Sequence, residues 1–132
     1  MISVEDRIML GLITVILDIA ILKANVRSKY DKIWQITVIV SHIAFYIGLI
    51  LNNQELLDYL HIMVFLTLGY SPFLESRDLK KMCLGLLITI QLLWLWNSRC
   101  ILSDPCNDYG YGNEVQILTG MLTVMLIYIL SL

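Results

Sequence analysis

The chain has 132 residues, 58% of them hydrophobic and 15% charged, with a net charge of −2 and a mean hydropathy of +0.77. A soluble domain is about 45–50% apolar and roughly 25% charged, and a fold this small has too little interior to hide the excess, so the excess is expected to face lipid. The nine Lys and Arg are dispersed along the chain, which excludes the concentrated basic footprint of a nucleic-acid binder.

Five apolar runs follow one another. They are 8–26 (IMLGLITVILDIAILKANV), 33–51 (IWQITVIVSHIAFYIGLIL), 56–74 (LLDYLHIMVFLTLGYSPFL), 82–102 (MCLGLLITIQLLWLWNSRCIL) and 115–132 (VQILTGMLTVMLIYILSL). A helix of about 20 residues crosses ~30 Å of hydrocarbon. A lipid-exposed span must satisfy its backbone internally, so these runs predict helices and not open strands. The first run contains Asp18, which costs ~3 kcal/mol at a helix centre, while each of its Leu, Ile and Val residues returns roughly 0.3–0.6 kcal/mol. The third has Asp58 near one end and Pro72 near the other. The cluster Glu5-Asp6-Arg7 is not basic and no small-residue cleavage site follows the first run, so that run is expected to be a retained helix and not a removed signal.

Counting Lys and Arg by side predicts an orientation. Lys23, Arg27, Lys29 and Lys32 fall in one loop and Arg77, Lys80 and Lys81 in another on the same side; Arg7 and Arg99 fall opposite. The positive-inside rule then places the N-terminus outside and the C-terminus inside, with five spans. The acids Glu5, Asp6, Glu55, Asp58, Asp104, Asp108 and Glu114 gather on the outer side. A four-span alternative that drops the first or third run would split the basic loops between the two sides.

The loop between the last two runs holds Cys100 and Cys106 around Pro105, then Gly110-Tyr111-Gly112. On an oxidising outer side a disulfide is the natural state of such a pair; two free thiols and a redox couple are the other readings. Five intervening residues and no neighbouring Lys or His speak against a redox couple, which usually has Cys-x-x-Cys spacing. The triplet lacks the Thr-Val that precedes Gly-Tyr-Gly in potassium filters and reads as a turn into the last helix. Trp94, Trp96, Tyr109 and Tyr111 suit an interfacial aromatic belt. Cys83 reads as small apolar packing.

Polar side chains inside spans mark where function is sought. Aligned by run midpoints, Asp18, His42, Gln91 and Thr123 come within about one residue, ~1.5 Å, of a common depth. His61 lies about four residues, ~6 Å, further out, with Asp58 at i−3 forming a secondary polar pair. One reading is a proton or cation path through Asp18 and His42, with Gln91 and Thr123 as lining; an Asp–His pair can exchange a proton near neutral pH. The other is interhelical bonding, worth on average only ~0.6 kcal/mol per bond but decisive for which helices pair. A bis-histidine haem on His42 and His61 would need both imidazoles at one depth. Small residues, Ser41, Ala44 and Gly48 on the second run, Ala20 and Ala24 on the first, Thr119, Gly120 and Thr123 on the last, mark faces for close helix contact. No nucleophile elbow, phosphate loop or metal-spaced His/Cys cluster is present, so no catalytic residue, cofactor or metal is assigned.

The stretch Trp94–Ser103, WLWNSRCILS, resembles the Trp/Asn-x-x-Cys-x-Leu-Ser/Thr signature at the outer end of a helix in small uncharacterised polytopic membrane proteins of large DNA viruses. The matching positions are Trp94 or Trp96, Asn97, Cys100, Leu102 and Ser103, about ten of 132 residues in all. The Glu that often follows in those proteins is replaced by Pro105-Cys106. The resemblance implies a virion inner-membrane location and carries over no activity or functional residue.

Together these readings predict an all-α integral membrane protein, a bundle of about five transmembrane helices, whose partners are the lipid bilayer and other membrane subunits, with no nucleic acid. The expected function is that of a structural or accessory subunit of a larger membrane assembly. The alternative is a small transporter, channel or proton-conducting protein using Asp18 and His42.

Overall fold

The computed structural model describes residues 3–97 and 112–132, and among them there are five α-helices and no strand. They are α1 (Val4–Lys23), α2 (Lys29–Leu51), α3 (Gln54–Tyr70), α4 (Arg77–Asn97) and α5 (Gly112–Ser131), with a 3₁₀ turn, Ser71–Phe73, between α3 and α4. Among the described residues two stretches are long and apolar enough to cross a membrane, Lys29–Leu51 and Gln54–Phe73; Gln116–Ser131 is apolar but shorter. α1 is held back by its own charges, with Glu5, Asp6 and Arg7 in its first turns and Asp18 in its body.

All five helices begin before their apolar runs, because the residues that start a helix are polar. Ser3 caps α1, its side chain accepting from the Asp6 N–H at 3.1 Å, and Glu5 and Asp6 lie in the first turn, where acids face the positive end of the helix dipole. Lys29 and Lys32, read from the sequence as loop residues, lie in the first turn of α2, and Lys80 and Lys81 lie in α4. The third run ends early as helix. Pro72 has no N–H to continue an α-helical ladder, and the chain turns through Ser71–Phe73.

The α2–α3 connection is two residues long. Asn52 adopts the left-handed conformation (φ 49°, ψ 43°), and its N–H bonds back to the Leu49 carbonyl at 3.3 Å. Asn is one of the few non-glycine residues that tolerates this region. Asn53 then caps α3, its side chain accepting from the Leu56 N–H at 3.1 Å. The hairpin closes tightly beneath Gly48, where a Cβ would meet Leu57 Cδ2 at 3.0 Å. Phe45, Leu49, Leu57 and Leu60 pack as a buried cluster just above the turn.

α2 lies along α3, α4 lies along α5, and α1 packs on α2 and on α4. A second buried cluster, including Ile21, Trp34, Val38, Leu68, Leu79, Leu87 and Leu126, joins the two halves towards the opposite end. Below it a knot of hydrogen bonds ties the α1–α2 connection to the start of α4. The Asp31 carboxylate, 1% exposed, accepts from the Glu75 N–H at 3.1 Å and the Ser76 N–H at 2.7 Å. Ser76 Oγ accepts from the Leu79 N–H at 3.3 Å and donates to the Asn25 carbonyl at 3.0 Å. Ser76 therefore caps α4, and a residue of α2, some 45 positions away, holds the backbone that leads into it. Asp31→Ala is expected to lower stability by about 2 kcal/mol, because two part-buried backbone donors just before α4 lose their charged acceptor. Ser76→Ala should cost about 1 kcal/mol. Unfolding titrations in mixed micelles, followed by circular dichroism, check both values and their order.

Candidate functional site

The polar side chains that share a depth in the sequence form two separate pairs. His42 Nδ1, on α2, is hydrogen-bonded to Asp18 Oδ1 on α1. The Tyr46 hydroxyl, one turn along α2, donates to Asp18 Oδ2 at 2.5 Å. The carboxylate is thus held on both oxygens by the facing helix, and the side chains of His42 and Asp18 are only 14% and 17% exposed. The other pair joins α4 to α5: Gln91 Nε2 donates to Thr123 Oγ1 at 2.7 Å, and Thr123 Oγ1 donates onward to the Thr119 carbonyl at 2.8 Å. Each pair bridges two helices that already pack together.

Tyr46 was not singled out in the sequence. Its signal was the i+4 spacing from His42, which puts the two on one face; the residue looked instead like one more aromatic in an apolar run. Two further bonds of α2 were likewise hidden. Trp34 Nε1 donates to the Thr67 carbonyl of α3 at 3.0 Å, and Gln35 Nε2 donates to the Ile21 carbonyl of α1 at 2.7 Å. All five polar side chains of this group, from Asp18 to Tyr46, fix α2 against its neighbours.

Asp58 and His61 are not brought together by a hydrogen bond or ion pair. Asp58 accepts from Gln54 Nε2 at 2.9 Å, one turn back on α3. His61 sets its ring edge-on to Phe65, with centroids 4.8 Å apart and planes at 79°, and both its nitrogens are buried without a hydrogen-bond partner. Neighbouring positions on a helix face interact only if nothing nearer competes, and Gln54 competes for Asp58.

His42 and His61 meet at a different feature. Both line a mainly apolar cavity of about 140 Å³ between α1, α2, α3 and α4, whose walls include Leu17, Val38, Leu60 and Leu86. That volume is close to the roughly 150 Å³ that holds one benzene ring, so a porphyrin between the two imidazoles has no room. Among the described residues no group of three or more His, Cys, Asp or Glu is arranged to hold a metal ion. Cys83 is a buried free thiol in α4. Cys100 and Cys106, with Gly110 and Tyr111, lie outside the described residues.

The Asp18–His42 bond should be the stronger of the two interhelical pairs, because it is charge-assisted and shared with Tyr46. A double-mutant cycle on Asp18→Ala and His42→Ala is expected to give a coupling of about 1.5 kcal/mol, above the ~0.6 kcal/mol typical of bonds between membrane helices. The cycle on Gln91→Ala and Thr123→Ala should give about 0.6 kcal/mol. Unfolding free energies in mixed micelles for each set of four proteins measure both. Compared with models of protein families, with curated proteins and with solved structures, the chain matches none.

Proposed function

We propose that this is a small polytopic membrane protein, its five helices forming a transmembrane bundle, and that it serves as a structural or accessory subunit of a larger membrane assembly. The observation that carries the reading is an inverted distribution of side chains. On α2, Ile33, Ile36, Val40, Ile43, Ile47 and Ile50 recur at helical spacing and are all 48–78% exposed, while Asp31, Trp34, Gln35, His42 and Tyr46 of the same helix bond inward. On α1, Ile8, Leu12, Ile16 and Ile19 make a similar outward stripe. Water-soluble helices turn such stripes to the core, and contiguous apolar surface on this scale calls for a lipid or protein cover.

The basic residues Lys23, Arg27, Lys29, Lys32, Arg77, Lys80 and Lys81 favour an inner position for the α1–α2 and α3–α4 ends. That orientation leaves the N-terminus outside and the C-terminus inside. The likeness of Trp94–Ser103 to small viral membrane proteins makes a virion inner membrane the assembly to examine first. A second reading, proton conduction, draws on the carboxylate, imidazole and phenol joined at Asp18, His42 and Tyr46. The mainly apolar cavity beside them offers a poor route for protons, and the accessory role is preferred.

Three outcomes follow. The protein should stay in the membrane pellet through alkaline carbonate; its release into the supernatant would sink the membrane reading. An N-terminal epitope tag should be removed by protease outside sealed vesicles while a C-terminal tag is protected; the reverse pattern would invert the topology. Proton flux into liposomes carrying the protein should not exceed that of empty liposomes. Flux that is present and abolished by Asp18→Asn would replace the accessory role with conduction.

A further inference from the structure

The cavity beside the Asp18–His42 pair has a chemical character as well as a size. His42 Nδ1 is bonded to Asp18 Oδ1, and the tautomer that donates its Nδ1 hydrogen to a carboxylate oxygen leaves Nε2 as an acceptor. Among the described residues Nε2 makes no hydrogen bond, and His42 is one of the residues that line the cavity. The hydroxyls around the cavity have the same bias. Thr14 donates to the Leu10 carbonyl (2.7 Å), Ser41 to Thr37 (2.8 Å), Thr67 to Met63 (2.9 Å) and Thr89 to Gly85 (2.8 Å). Each has directed its one hydrogen into its own helix and retains only lone pairs. His61 lines the same cavity, with both its nitrogens buried and without a hydrogen-bond partner.

We propose that this cavity is a binding site for one small neutral aromatic ring bearing a hydroxyl, a phenol, whose O–H donates to His42 Nε2. The volume admits a single ring, the mainly apolar lining favours an uncharged one, and hydroxyls whose hydrogens are already spent favour a molecule that donates. A carbonyl or ether on the same ring would face only the lone pairs of these hydroxyls. Asp18 acts as a positioning residue by fixing the imidazole tautomer. The site stands apart from the accessory-subunit reading and requires only that the four helices pack as they do.

The test uses the full-length protein in nanodiscs, with binding to empty nanodiscs subtracted and phenol compared with toluene, a ring of similar size with no donor. Phenol is expected to saturate one site at least about tenfold more tightly than toluene, a difference of about 1.4 kcal/mol. In protein labelled with ¹⁵N at histidine, phenol should move the Nε2 resonance of His42 and leave those of His61 in place. Asp18→Asn, which presents an amide N–H to Nδ1 and transfers the ring proton to Nε2, should reduce the preference below about threefold without weakening toluene. Ile90→Phe, which fills the cavity from α4, should remove both ligands. Absence of saturable binding, equal affinities in the wild type, a preference that survives Asp18→Asn, or phenol binding that survives Ile90→Phe would each overturn the proposal. If Asp18→Asn does not fold, the His42 resonance in the wild type decides.

Discussion

A carboxylate inside a bundle with isoleucine on its outside has to find its partners among the neighbouring helices. Asp18 does so with both oxygens, on His42 and Tyr46, and this one interaction sets the rotation of α1 against α2. Once that rotation is set, the outward stripe of α1 and the outward stripe of α2 come to lie on the exterior together. Leu17 and Val38 are turned into the wall of the shared cavity. For the proposed membrane bundle, an apolar exterior gives helices little reason to prefer one rotation over another, because hydrocarbon receives a leucine as readily as a neighbouring helix does. The few polar side chains carry most of that specificity.

The ends of the helices follow the same logic with backbone groups. Arg7 of α1 donates to the Leu49 carbonyl at the last turn of α2 (3.0 Å), and Arg77 at the start of α4 donates to the Leu130 carbonyl at the last turn of α5 (2.6 Å). A cation at the carbonyl end of a helix satisfies an orphan acceptor and complements the dipole. Asp31 does the converse at the start of α4. Arg7 and Arg77 entered the orientation argument as anonymous positive charges on opposite sides. In the fold they are also the clasps that hold one helix end to the next, so charge asymmetry and packing draw on the same residues.

How much of this was legible in the sequence depends on whether the information lies along a helix or around it. Position along the helix is a matter of counting, and counting set Asp18, His42, Gln91 and Thr123 in one layer without dividing them into the two pairs of the fold. Position around the helix is set by partners, and for that reason Tyr46, Trp34 and Gln35 passed as ordinary members of apolar runs. Asp58 and His61 show the opposite error: i, i+3 spacing suggests contact, yet Gln54 is nearer to Asp58 and Phe65 engages His61. Asp31 was obscured by its surroundings, a lone acid among Lys29 and Lys32, where a loop charge is the ordinary reading. Its burial comes from a segment 44 residues away, which no local pattern records. Helix starts were read late for a related reason, since hydropathy marks where a helix becomes apolar and capping residues mark where it begins.

The two-residue turn at Asn52-Asn53 has a bearing on how such a chain can vary. Most connections between helices absorb an inserted or deleted residue by bulging. Here the left-handed Asn52 and the capping Asn53 leave no slack, and one residue more would turn α3 by ~100° about its own axis relative to α2. Leu57 and Leu60 would leave Phe45, and His61 would leave the cavity. Among descendants of this sequence, substitutions along the outward stripes are therefore the easy route of divergence, whereas changes in length at this turn are closed off unless α3 is rewritten with them.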